Sequence, residues 1–189
     1  HGHNPHDDLT PTMSALVIIA HVKEGVDLAL KHNLNSEIID IIRQHHGTST
    51  VAYFLQRARQ QQEDARLGGK IMNMREDDIP EVNEDSFRYP GPRPQTREAA
   101  LVSLADAIES ASRSLERPTP QRIDDLIRNI VKSRLDDGQL DEAPLTIAEI
   151  WKAADSFRFT LVSMLHSRIA YPKREDRQAQ EKRDHKSAA

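Results

Sequence analysis

Apolar positions recur at helical spacing along most of this chain, and polar breaks divide them into six expected helices. The first is expected over 12–32, with Thr10 as N-cap and Pro11 at the first helical position. Asn33 and Asn35 fall at a break; Ser36 is expected to cap a second helix that reaches His46 and stops at Gly47. The short connection predicts that these two arms, spanning 20–47, pack antiparallel. A third helix is expected over 49–66, with Val51, Phe54, Leu55 and Ala58 as its apolar stripe and Gly68-Gly69 as its end. Residues 72–94 lack a helical period. Pro90, Pro92 and Pro94 around Gly91 make 87–94 a stiff, extended loop. A fourth helix over 95–115 buries Leu101, Leu104, Ile108 and Leu115. Thr119-Pro120 starts a fifth that runs to Leu135 on Ile123, Leu126, Ile127, Ile130 and Val131, and Asp136-Asp137-Gly138 ends it. Thr146 caps a sixth to Arg168, with Ile150, Ala154, Phe157, Leu161 and Leu165 inward. The pattern is that of an all-α domain without strands. Residues 173–189 form a charged tail, expected to be frayed or disordered.

The same periodicity gathers histidines. In the second arm Ile38, Ile41, Ile42 and His45 fall on one stripe, with Ile39 and His46 beside it. The run 16–22 is apolar nearly all round, as in a helix buried on most sides, and His21 lies within it. A buried imidazole needs a hydrogen-bond partner or a metal. His21 precedes the break by about as much as His45-His46 follows it, so at 1.5 Å per residue both sit about 18 Å from the turn. Three imidazoles can therefore meet across one helix pair, and a metal site is favoured over a core histidine with two surface neighbours. Asp106, set among small and apolar residues, would be costly if buried unpaired and is the carboxylate added to this cluster. Glu109, one turn on, is its rival and is expected to be solvated. His6-Asp7 precedes a capped helix and reads as loop or capping chemistry rather than ligation.

Composition narrows the chemistry. The 189 residues suffice for one domain with a core, although hydrophobic content (37%) and aromatic content (4%) are low enough to make that core modest. A net charge of −4 gives no general attraction to a nucleic-acid polymer. Nine histidines are many for this length, and the lack of cysteine excludes disulfides and thiolate metal sites. A metal would be held by histidine and carboxylate, which suits iron, manganese, zinc or nickel. No apolar run reaches transmembrane length, and no signal-peptide pattern is present. The chain opens at His1 rather than Met and is expected to be a fragment. It has no internal repeat, glycine-rich phosphate loop or Ser-His-Asp spacing.

Six segments taken in order carry a resemblance. They are Asn4-Pro5-His6-Asp7, His21-Val22-Lys23-Glu24-Gly25, Gln44-His45-His46-Gly47-Thr48, residues 87–95, Leu104-Ala105-Asp106-Ala107-Ile108-Glu109 and Asp137-Gly138-Gln139-Leu140. Together they resemble the HD-domain metal phosphohydrolases, and among these the cytoplasmic domain of the seven-transmembrane (PgpH-like) cyclic di-AMP phosphodiesterases. The likeness runs from Asn4 to about Pro172. It implies a helical bundle with a two-metal centre, holding manganese or iron, that hydrolyses a phosphodiester of a cyclic dinucleotide. It implies His21, His45, His46 and Asp106 as ligands, in agreement with the helix-height argument.

The family also places an earlier histidine and a His-Asp dyad on helices before the Asn-Pro-His-Asp segment, and His6-Asp7 matches the later loop rather than that dyad. Residues 1–172 are thus expected to be a partial HD domain. The parent protein would be the enzyme and the isolated chain inert. The parent would hold this domain in the cytoplasm, with the membrane reached only through a missing N-terminal region. Lys23, Arg88 and Arg93 are candidate phosphate contacts by charge and location. Loss of the preceding helices would uncover the flank of 16–22 and the 101–108 face, so self-association is expected. Two alternatives stand: a non-catalytic helical module that binds nucleotide or relays a signal, and an HD-type hydrolase of mononucleotides. The extended loop from Phe87 favours the cyclic dinucleotide over the latter, by resemblance.

Overall fold

The computed structural model describes residues 9–71 and 81–167. His6-Asp7 and the tail at 173–189 lie outside these residues, and the side chain of Leu165 is likewise outside the description. Six α-helices are present: α1 Pro11–Lys31, α2 Ser36–Gln44, α3 Ala52–Ile71, α4 Arg97–Ser112, α5 Pro120–Asp136 and α6 Ile147–Ser167. A 3-10 turn, Glu84–Phe87, stands between α3 and α4. Among the described residues there is no strand, and one antiparallel bridge joins Thr50 to Arg88.

Most helix starts follow their caps. Thr10 accepts from Met13 N, Thr96 from Ala99 N and Thr119 from Arg122 N. Thr146 and Glu149 form a capping box, each side chain accepting from the other's backbone N–H. At α2 the cap is Asn35 rather than Ser36. The Asn35 Oδ1 accepts from Ile38 N at 3.0 Å, while the Ser36 hydroxyl turns to Glu37. The helix also ends at Gln44, before the expected His46. Gly47 adopts a left-handed φ of +55°, which turns 45–48 out of the helix.

Helix α3 differs at both ends. Residues 49–51 are drawn out of it by backbone pairing with the loop after the 3-10 turn: Val51 N donates to Phe87 O at 2.7 Å and Tyr89 N to Ser49 O at 2.9 Å. At the other end the helix continues through Gly68-Gly69 to Ile71. Glycine costs roughly 1 kcal/mol relative to alanine in a helix, which does not by itself stop one.

Two apolar clusters hold the bundle. One joins α4, α5 and α6 through Leu104, Ile108, Ile123, Ile127, Val131 and Ile150. The other joins α1, α3 and the 3-10 turn through Ala15, Phe54, Leu55, Ala58 and Phe87. Helix α2 packs on α1 and on α4, bridging the halves. The expected burial of 16–22 is only partly met. Ala15 and Val22 are buried, but Leu16 and Val17 are 50% and 53% exposed, because α2, α3 and the 3-10 turn occupy the opposite side of α1. In α2 the buried isoleucine is Ile39, while Ile38 faces outward.

Candidate metal centre

The antiparallel α1–α2 hairpin brings its two histidine groups to one height, as rise per residue requires. His21 Nε2 lies 3.1 Å from His46 Nε2 and 3.4 Å from His45 Nε2. Ligand atoms of the three residues all fall within 4.8 Å of one another, the spacing of a group able to hold a metal ion. His45 and His46 occupy the turn created by Gly47, not the helix proper, which lets adjacent residues aim at the same point.

The opposite ring nitrogens fix the tautomers. His21 Nδ1 bonds to the Ile18 carbonyl, and His45 Nδ1 to the Ile42 carbonyl at 2.6 Å. A carbonyl only accepts, so each Nδ1 carries the hydrogen and each Nε2 of the neutral ring keeps its lone pair. Lone pairs facing each other at these distances repel unless a proton or a cation lies between them. That donor set fits a divalent ion.

His46 is stacked on Tyr89, with ring centroids 4.2 Å apart and planes within 19°. Burial, then the neighbouring His45, His21 and Arg134, push its pKa down to about 3, so the ring stays neutral and available as a donor at pH 7. Tyr89 is itself buried, and that burial together with Asp106 pushes its hydroxyl up to about 12. Arg134 also loses affinity for its proton through burial, with Asp137, Asp106 and Tyr89 opposing the loss.

Asp106 lies on the other flank of His46, its Oδ2 3.7 Å from Nδ1. Its side chain is 44% exposed, so the expected cost of burying it does not arise; what places it here is the packing of α4 against α2. Glu109 pairs with Arg113 at 2.9 Å and stands apart from the cluster. Lys23 is exposed on α1, two residues from His21. Arg88 is engaged beneath the histidine turn: it donates to Thr48 O at 2.9 Å, to Asp137 at 3.3 Å and to Glu84 at 2.7 Å. The hydrogen bond to Asp137 is the chief cause that raises its pKa further. Arg93 Nε donates to Thr48 Oγ1 at 3.4 Å.

The sequence pattern assigns no role at the site to Tyr89, Arg134, Gln44 or Gln139, although all but Arg134 lie in the segments that carry the resemblance. The two glutamines are buried: Gln139 accepts from Thr48 N just after the histidine pair, and Gln44, just before it, accepts from Gln95 N at the entry of α4. The available signal was a glutamine beside a glycine-marked helix end in two of those segments, Gln44 before the histidine pair and Gln139 after Gly138.

A helical bundle with three imidazoles converging from one hairpin defines a helical domain carrying a histidine cluster able to hold a metal ion. The chain belongs to the HD domain family, whose model matches residues 1–111. It is 38% identical over 169 residues to the cyclic-di-AMP phosphodiesterase PgpH of Bacillus subtilis (strain 168), covering 89% of this chain and 21% of that protein. It is 38% identical over 175 residues to the protein of the same name from Listeria monocytogenes serotype 1/2a (strain 10403S), covering 93% and 22%. The chain thus spans about a fifth of the length of these relatives. The crystal structure of the L. monocytogenes PgpH HD domain in complex with cyclic-di-AMP matches with a TM-score of 0.74 and 36% identity, over 87% of this chain and 69% of that one. A second crystal structure of the L. monocytogenes PgpH HD domain matches with a TM-score of 0.73 and 36% identity, over 88% and 70%. These likenesses carry the expected helical fold. No described helix is long and apolar enough to cross a membrane.

Proposed function

We propose that the chain is part of a metal-dependent phosphodiesterase that hydrolyses a cyclic dinucleotide, cyclic di-AMP, in a longer parent protein. The observation that carries this is the convergence of three Nε2 atoms, two of them on rings whose Nδ1 is already committed to a backbone carbonyl. The relatives named for this activity, and the related domain crystallised with cyclic-di-AMP, support the substrate class.

His21, His45 and His46 hold one divalent transition ion, manganese or iron, and Asp106 on the far flank of His46 serves a second position. When bound, such ions supply Lewis acidity and a water that is nucleophilic at neutral pH. The residues of this chain keep the donors ready. The Ile18 and Ile42 carbonyls hold two rings in the Nδ1–H tautomer, and Asp106 favours a hydrogen on the same nitrogen of His46. Tyr89 fixes the plane of His46. Lys23, exposed on the helix of His21, is the cation proposed to meet substrate phosphate. Arg88 and Arg93 contribute from beneath the turn, where both contact Thr48. Residues 1–172 constitute the HD part and 173–189 a tail, and the parent holds the domain in the cytoplasm beside a membrane anchor.

A second reading rests on the cluster itself. Among the described residues it contains three imidazoles and no bridging carboxylate, so this chain alone binds one ion and does not turn over. Metal analysis of the chain, with a hydrolysis assay on the longer protein, tests both. About one ion per chain, lost on chelation, and manganese- or iron-dependent hydrolysis of cyclic di-AMP by the longer protein are expected. A chain that binds no divalent ion, beside a longer protein without hydrolysis, would sink the proposal.

A further inference from the structure

The His45-His46 pair is the one part of the centre that lies in a turn, closed by Gly47 N to Gln44 O at 2.9 Å and Ser49 N to His46 O at 3.2 Å. Two buried carboxamides brace that turn against the other helices. On the N-terminal side, Gln44 Oε1 accepts from Gln95 N at 2.9 Å, tying the end of α2 to the entry of α4. On the C-terminal side, Gln139 Oε1 accepts from Thr48 N at 2.9 Å. The Gln139 Nε2 donates to Thr48 Oγ1 at 3.0 Å and to Asp137 Oδ2 at 2.8 Å. Gln139 is fully buried, so none of these bonds is exchanged for water without cost.

The position of Gln139 is itself fixed. Helix α5 ends in a Schellman motif: Gly138 N donates to Leu135 O at 3.0 Å and Gln139 N to Arg134 O at 2.9 Å, with Gly138 at a φ of +65°. The carboxamide is thereby delivered to the turn from a rigid helix end 91 residues away in sequence. Gly47 is fitted to it, since a Cβ there would collide with Gln139 Oε1. The turn that aims two imidazoles is therefore shaped around the Gln139 carboxamide.

We propose that Gln139 is a positioning residue for the imidazole pair, acting through the Gly47–Thr48 turn, with Gln44 as its counterpart on the other side. The inference rests on the metal-binding reading of His21, His45 and His46. Partners that orient metal ligands commonly contribute 10–100-fold to affinity.

The test measures Co2+ and Zn2+ affinity of the full chain by competition with a chelating dye, together with the visible absorption of the Co2+ form. Gln139→Met keeps length and removes the carboxamide's hydrogen bonds to Thr48 and Asp137. It is expected to weaken both affinities by about tenfold or more and to alter the Co2+ bands, with far-ultraviolet circular dichroism unchanged. Gln44→Met is expected to act in the same direction, less strongly. Gln139→Asn keeps a buried carboxamide one methylene short of Thr48 and takes the same reading if the methionine variant does not fold. Wild-type affinity and an unchanged Co2+ spectrum in the folded variants would overturn the inference while leaving the metal site standing. If neither Gln139 variant folds, the residue stabilises the bundle and the positioning role falls. Failure of the wild-type chain to bind either ion would instead overturn the metal-binding reading on which the inference rests.

Discussion

The two halves of the bundle are held together by different means. The α4–α6 half has a continuous apolar core, in which Leu104, Ile108, Ile123, Ile127, Val131 and Ile150 are all essentially inaccessible. The α1–α3 half has a smaller cluster around Phe54, Leu55 and Phe87, and leaves Leu16 and Val17 exposed. Yet all three clustered imidazoles belong to the second half. What ties their surroundings to the first is polar: Gln95 N donates to Gln44, Thr48 N to Gln139 and Arg88 to Asp137, and Asp106 lies 3.7 Å from His46. Rigidity at the site is thus carried across the seam by directional hydrogen bonds, which fix angles in a way that apolar contact does not. A chain of modest hydrophobic content can keep its packing in one half and its imidazole cluster in the other.

The sharpest separation of the halves comes from the histidines. His45→Ala with His46→Ala is expected to abolish metal binding by the chain and turnover by the longer protein. Helix content should be nearly intact, because the pair packs in a turn at the edge of the smaller half. Loss of circular dichroism in that variant would mean that the imidazoles are core residues, and the contrast between halves would fail. Next in size are the cores themselves. Ile127→Ala should destabilise the fold by about 3 kcal/mol, and Leu55→Ala by about 2 kcal/mol, measured by urea denaturation. The reverse order would show that the smaller cluster carries more of the stability than its burial indicates.

A smaller effect comes from pH in the metal-free protein. His46 has a folded pKa of about 3 against an ordinary 6.5, chiefly through burial. On acidification the unfolded chain therefore takes up this proton first. The contribution of His46 to stability is complete above pH 6.5 and is lost progressively as pH falls towards 3. Between pH 7 and pH 6 the loss should stay under about 1 kcal/mol. His46→Gln should flatten that part of the profile in chelator-containing urea titrations. A variant profile parallel to wild type would assign the acid sensitivity to other groups.

The hairpin was legible because helix rise is the same for every sequence. Equal spacing of His21 and His45-His46 from the break was enough to bring them together. The helical periods likewise located α4, α5 and α6, whose apolar stripes face their own core. What could not be read was set by long-range partners. The extended backbone at 49–51 forms only because Phe87 and Tyr89 pair with it. The early end of α2 depends on Gly47, which fits a glutamine from the end of α5. Asp106 was singled out by an argument from burial, yet its side chain is half exposed. Leu16 and Val17 show the same limit in reverse, since an apolar period states which residues favour burial but not what covers them.

That last pair gives the smallest effect on folding and the most direct probe of the weaker half. Leu16 and Val17 lie on the side of α1 away from α2, α3 and the 3-10 turn, and each is about half exposed. Replacing both with glutamine removes little buried area, so unfolding free energy should change by no more than about 0.5 kcal/mol. Adjoining exposed apolar side chains still favour association, since covering them releases them from water. The chain is therefore expected to bind a hydrophobic dye and to self-associate, and Leu16→Gln with Val17→Gln should reduce both. The control lies in the other half, where Phe159 of α6 is 73% exposed. Phe159→Gln should leave association largely unchanged if the α1 face is responsible. Sedimentation and dye binding on the three chains decide the matter. An effect confined to Phe159→Gln would move the adhesive surface to the well-packed half and break the comparison.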